Sequence, residues 1–230
     1  MKYKFLLFDA DNTILDFDKA EDNALAAALQ KHGLPFDNHV LATYRKNNIY
    51  MWEQLELGLA DKRTVCDKRF LLTFEELGWN VSDEEFHSIT AEYEEGLHHG
   101  FDVIEHADEV LTALAANGHK LYLVSNGILS VQTARLAGSG MGKHFPVRFI
   151  SEEVGVPKPA KEFFDFAFAH IDGFDPSSAL VVGDSLTSDI KGGKNAGVAT
   201  CWFNPKHLPN TKGIVPDYEI DDLRKLFEIV

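Results

Sequence analysis

Four short apolar runs, each ending abruptly in polar residues, constrain this chain more than any other feature. They are YKFLLF at 3–8 before Asp9, LYLVSN at 121–126, VRFIS at 147–151 and ALVVGD at 179–184. Each is rich in β-branched or aromatic residues and too short for a core helix, as expected of a parallel strand buried on both faces. Helical patterns lie between them: 106–117 closed by Gly118, 128–137 before Gly138, 160–171, and 186–195 before Gly197. Strand alternating with helix implies an α/β fold, a parallel sheet with helices on both faces. Ligands gather at the carboxyl ends of the strands in such sheets, so Asp9, Ser125, Ser151 and Asp184 are expected to face one crevice.

Residues 17–100 break this rhythm. Stretches such as EDNALAAALQKHG and DEEFHSITAEYEEGL, and the spacing of Phe70, Leu71, Phe74 and Leu77, have helical periodicity and offer no convincing strand. The expected organisation is a core domain of residues 1–16 and 101–230 with a helical cap domain, 17–100, inserted after the first strand.

Composition narrows the function. A chain of 230 residues, 45% hydrophobic, can bury a substantial core. Its longest apolar runs fall well short of the roughly 20 residues a membrane helix needs. Asp9 and Asp11 interrupt the N-terminal apolar run too early for a signal peptide. Two distant cysteines, Cys66 and Cys201, fit free thiols in a reducing cytoplasm better than a disulfide framework. A net charge of −14 opposes contact with nucleic acid polymers and anionic membranes. A small anionic ligand remains compatible, because a metal or lysine can reverse the field locally.

The candidate chemistry lies at the strand ends. In Asp9-Ala10-Asp11 two carboxylates follow a buried strand and point the same way. Two unit charges about 4 Å apart repel by about 4 kcal/mol at an effective dielectric of about 20, so a cluster of Asp9, Asp11 and Asp184 needs a cation or a shared proton. Hard oxygen ligands favour Mg²⁺, whereas the Cys and His that zinc prefers are absent there. Ser125 and Asn126 offer a hydroxyl and an amide, and also suit an N-cap of helix 128–137. Lys158, between Pro157 and Pro159, sits in a stiff segment able to aim its ammonium inward. Asp189 follows Asp184 on the next helix, where a solvent-facing role is the simpler alternative.

In chain order, DADNT, SN, VPKP and GDSLTSD resemble the four motifs of the haloacid dehalogenase (HAD) superfamily, and the strings LLFDADNTILDF, SEEVGVPKP, GDSLTSDIKGGKNAG and TCWFNP resemble its pyrimidine 5′-nucleotidase branch. The resemblance spans the chain and implies a Rossmann-like core with a helical cap inserted after the first motif. About a hundred residues separate Asp9 from Ser125, whereas thirty-two positions separate Asn126 from Lys158, too few for a second cap there. The resemblance further implies an Mg²⁺-dependent phosphatase in which Asp9 attacks phosphorus and forms an aspartyl-phosphate. Asp11 would protonate the leaving alkoxide and then deprotonate water. Mg²⁺ would be held by Asp9, the Asp11 backbone carbonyl and Asp184. Ser125, Asn126 and Lys158 would bind the transferring oxygens, with Thr13 and Asp189 in support, Asp189 by orienting Lys158 or a metal-bound water. Asn12 departs from the glycine of many relatives. Asp11 argues against dehalogenation, because a departing halide needs no proton.

The expected substrate is a small phosphorylated metabolite, a pyrimidine nucleoside monophosphate first. A sugar-phosphate or phosphoglycolate-type phosphatase, a phosphomutase and a non-catalytic phosphate-sensing module are the alternatives, and monomer or homodimer stays open. The GSGMGK stretch at 138–143 fits no phosphate-loop pattern and reads as a loop. His98-His99 reads as a solvated helix end, and Phe17, Tyr50 and Trp52 as core aromatics or as platforms for a base.

Overall fold

A computed structural model describes residues 1–230. In chain order the helices are α1 (Phe17–Lys31), α2 (Asn38–Glu56), α3 (Lys62–Glu76), α4 (Asp83–His98), α5 (Ala107–Ala116), α6 (Leu129–Gly138), α7 (Ser151–Val154), α8 (Lys161–Ala169) and α9 (Lys191–Asn195). The strands are β1 (Phe5–Phe8), β2 (Lys120–Ser125), β3 (Arg148–Ile150), β4 (Ala179–Gly183), β5 (Ala199–Phe203) and β6 (Tyr218–Ile220). The chain divides into two compact units, Met1–Phe17 with Phe101–Val230, and Asp18–Gly100.

The first unit is built on one six-stranded sheet in the order β3-β2-β1-β4-β5-β6, every pair parallel. This is the Rossmann-like order, and the direction of winding reverses between β1 and β4. Phe8 is in register with Leu123 of β2 and with Val182 of β4, so the polar residues that follow those strands emerge at one end of the sheet. Alternation along each strand divides the core. Leu6, Phe8, Leu123, Leu180 and Val182 pack with Val110 and Leu114 of α5 and Leu136 of α6. Phe5, Leu7, Val124 and Val181 pack with Phe163, Phe164 and Ala167 of α8.

The second unit is four helices. Asp37 caps α2 by accepting from His39 N and Val40 N, both at 2.9 Å. Ser82 and Glu85 form a reciprocal capping box at the start of α4. Inside lies a polar network: Glu21 accepts from Asn48 Nδ2 at 2.8 Å and from Arg45 Nε at 3.2 Å. Arg69 donates to Asn48 Oδ1 at 3.2 Å, with its guanidinium 4.9 Å from the centroid of the Tyr93 ring. Burial pushes Glu21 up to about 7, even though Arg45 and Arg69 pull the other way.

Several local expectations change. β5 and β6 extend the sheet beyond the four strands legible in sequence; β6 buries only Ile220 of its three residues, so no apolar run marks it. The expected helix 186–195 is a π-helical turn, Leu186–Ile190, that runs into α9. Ser151 stands at the end of β3 as expected and also opens α7. Leu71 is exposed while Phe70 and Phe74 are buried. His98 and His99 meet Glu95 at the end of α4, and Tyr50 is exposed. Cys66 and Cys201 are free thiols, and no helix is long and apolar enough to cross a membrane.

Candidate active site

Asp9 follows β1 directly, and its backbone N–H donates to Val182 O at 2.9 Å, continuing the ladder one step past the strand. Beside it, Lys158 is 1% exposed, a burial that an ammonium tolerates only when paired. Its Nζ donates to Asp9 Oδ1 at 2.7 Å, to Asp189 Oδ1 at 2.6 Å and to Val124 O at 2.8 Å, using all three donors. Asp189 is likewise 1% exposed, so the solvent-facing alternative is overturned. It is steadied by Ser185 N, which donates to Oδ2 at 3.1 Å. Gly183 makes room for it: a Cβ there would stand 2.1 Å from Asp189 Oδ2.

Asp184 leaves β4 next to this group, and its carbonyl accepts from Trp202 Nε1 of β5 at 2.8 Å. Carboxylate oxygens of Asp9, Asp184 and Asp189 lie within 4.8 Å of one another. Asp11 stands outside that trio. Its carboxylate is ion-paired with Arg135 Nη1 at one oxygen and accepts from Gln132 Nε2 at the other. Its carboxylate is thus turned to α6, and its backbone carbonyl is the Asp11 atom expected to face a metal.

The end of β2 and the residues that follow it are held by local and long-range hydrogen bonds. Ser125 Oγ accepts from Gly127 N at 3.0 Å, whereas Ile128, not Ser125, occupies the N-cap of α6. Asn126 Oδ1 accepts from Lys158 N at 2.8 Å, and its Nδ2 donates to Lys158 O at 2.9 Å and to Ser188 Oγ at 3.3 Å. Asn126, expected to bind transferring oxygens, thus uses both ends of its amide to hold the Lys158 segment. Ser151 Oγ donates to Asn126 O at 3.4 Å. Thr13 is fully buried, with its hydroxyl in no hydrogen bond. Asn12 adopts φ +56°, a left-handed conformation that asparagine tolerates, and its Oδ1 accepts from Phe17 N at 3.1 Å. That explains a non-glycine residue at this turn.

These residues are acidic in excess, which suits a cation. Fully ionised, the three carboxylates would exceed the single ammonium of Lys158 by two negative charges at one end of the sheet, and only a cation or protons can offset them. Burial pushes Asp9 up to about 7 despite Lys158, with Asp189 and Asp11 adding to the rise. Burial, then Asp9 and Asp189, hold Asp184 well above the usual carboxylate range. Lys158 is held above its ordinary value, because Asp189 and Asp9 outweigh the effect of burial. An all-oxygen, acid-rich set fits a hard divalent ion such as Mg²⁺.

Gln132 and Arg135 were not anticipated from sequence. The available signal was two polar residues among Val131 and Leu136 on the buried face of α6. Phe17, considered as a base platform, lies under the Arg135 guanidinium, 5.3 Å from it to the ring centroid.

Residues 3–197 match the family model described as haloacid dehalogenase-like hydrolase. The pyrimidine 5′-nucleotidase PynA of Streptococcus pneumoniae is 38% identical over 228 residues, covering 99% of this chain and 95% of its own. The pyrimidine 5′-nucleotidase YjjG of Escherichia coli is 32% identical over 232 residues, covering 100% and 99%. Among solved structures, the magnesium-bound crystal structure of YfnB from Bacillus subtilis superposes with a TM-score of 0.92 at 36% identity, covering 100% of this chain and 99% of that one. With residues 3–197 matched by that model and relatives at 32% and 38% identity covering nearly its full length, the chain belongs to the haloacid dehalogenase-like hydrolases.

Proposed function

We propose that this hydrolase is a phosphomonoesterase that uses Mg²⁺ and acts on nucleoside 5′-monophosphates, pyrimidine nucleotides first. One observation carries the chemistry. Lys158 is buried between Asp9 and Asp189 in a cluster where three carboxylates meet one ammonium, an arrangement suited to a divalent ion and a phosphate together. The substrate class is supported by PynA and YjjG, both named pyrimidine 5′-nucleotidases and both matched over nearly the full chain.

On this reading an Asp9 oxygen bonds to phosphorus as the ester P–O bond breaks, and Asp11 gives its proton to the departing alkoxide. Lys158 stabilises charge on the transferring oxygens and is held in place by Asp189, while Asn126 holds the Lys158 backbone. Bound near Asp9, Asp184 and the Asp11 carbonyl, the cation would offset repulsion between the anionic nucleophile and the anionic phosphate. Residues 17–100 would serve as the cap that selects the substrate. The test is phosphate release with magnesium from UMP, dUMP and dTMP beside a panel of sugar phosphates. Preferential cleavage of the nucleotides is expected; rapid turnover of a sugar phosphate with none of the nucleotides would overturn the substrate assignment.

A further inference from the structure

The residue that must exchange protons, Asp11, is held by two side chains more than a hundred positions away in sequence. Arg135 Nη1 pairs with Oδ1 and Gln132 Nε2 donates to Oδ2, so both oxygens of the carboxylate are engaged from one helix. Gln132 and Arg135 stand three apart on α6 and therefore on the same face. Both are buried, Arg135 completely, and the guanidinium is fixed from below by the Phe17 ring.

Two details show that this clamp is shaped toward Asp11. Gln132 Oε1 is buried with no hydrogen-bond partner, an unfavourable state that stability alone would not select. Gly127 makes the Gln132 path open: a Cβ there would come within 2.3 Å of Nε2 and 2.9 Å of Cγ. A carboxylate offers about four acceptor positions, so one donor on each oxygen fixes its plane and leaves the remaining positions for a reacting partner.

We propose that Arg135 and Gln132 are positioning residues that aim the Asp11 carboxylate at the water attacking the aspartyl-phosphate. This rests on the phosphatase reading above. In that step the water oxygen bonds to phosphorus and the Asp9 O–P bond breaks, its electron pair returning to the Asp9 carboxylate. The proton released by the water passes to Asp11. Misaiming Asp11 slows this half of the cycle, whereas a leaving group that departs without a proton still forms the phosphoenzyme at full speed.

Stopped-flow kinetics with p-nitrophenyl phosphate and magnesium separates the two halves. Arg135→Gln, Gln132→Leu and Gly127→Ala are each expected to show a p-nitrophenolate burst approaching one equivalent per enzyme, then a steady state slower by roughly tenfold or more. Arg135→Lys, which keeps the charge but not the planar fork, is expected to recover part of the steady-state rate. Burst and steady state falling together, or neither changing, would overturn the proposal. Gln132→Leu and Gly127→Ala retain Arg135, so they give the same reading if Arg135→Gln fails to fold. A wild-type enzyme that releases no p-nitrophenolate overturns the phosphatase reading itself, a result distinct from any pattern among the variants.

Discussion

Lys158 shows how one residue can be both obvious in sequence and dependent on structure for its meaning. Its place between two prolines marked it as a stiff, inward-aimed lysine; that Asp9 and Asp189 share its ammonium appears only in three dimensions. Replacing Asp9 by Asn removes the nucleophile and keeps the side-chain shape. Phosphate release should fall by at least about a thousandfold, the scale on which loss of a covalent nucleophile reads out, while circular dichroism is unchanged. Glu21 supports a prediction of a different kind. Burial raises it from 4.5 to about 7, so above pH 4.5 the unfolded chain releases a proton that the native chain keeps. Its contribution to stability is therefore fully present below about pH 4.5 and lost as pH rises through about 7. The slope from one such proton is at most about 1.4 kcal/mol per pH unit. Urea denaturation of Glu21→Gln against wild type should show the variant losing less stability across that window; parallel curves would contradict the burial argument.

Among the elements, helix ends and strand ends follow local chemistry most closely. Asp37, whose carboxylate takes two backbone N–H groups of α2, is a clear case. Asp37→Ala should cost about 1 kcal/mol, read as a lower urea midpoint with an unchanged slope. The first four strands were legible because apolar runs buried on both faces stand out. β6 was not, since only Ile220 of its three residues is buried and no apolar run marks it. α6 was legible as a helix but not as the carrier of the Asp11 clamp, since a buried arginine looks like an error in the apolar stripe until its carboxylate partner is known.

At the scale of the whole molecule, the acids gathered at the winding reversal predict that a divalent cation stabilises the native state. Magnesium should raise the melting temperature, by an amount equivalent to about 2.7 kcal/mol at a hundredfold excess over its dissociation constant. The gain should vanish in Asp184→Asn and on chelation with EDTA. An equal shift in wild type and variant would remove Asp184 from the metal site.

By itself the sequence determined the sheet-and-helix alternation, the helical stretch between the first two strands and the set of acids with one lysine at strand ends. Strand burial, helix periodicity and motif order are local properties, readable within a few residues. Only the tertiary structure decided who partners whom. Asp11 belongs to Arg135 and Gln132, Asn126 to the Lys158 backbone, and Asp189 to the Lys158 ammonium. Each pairing joins residues between thirty-one and one hundred and twenty-four positions apart, and the energy that selects it exists only once the sheet has brought them within hydrogen-bond reach.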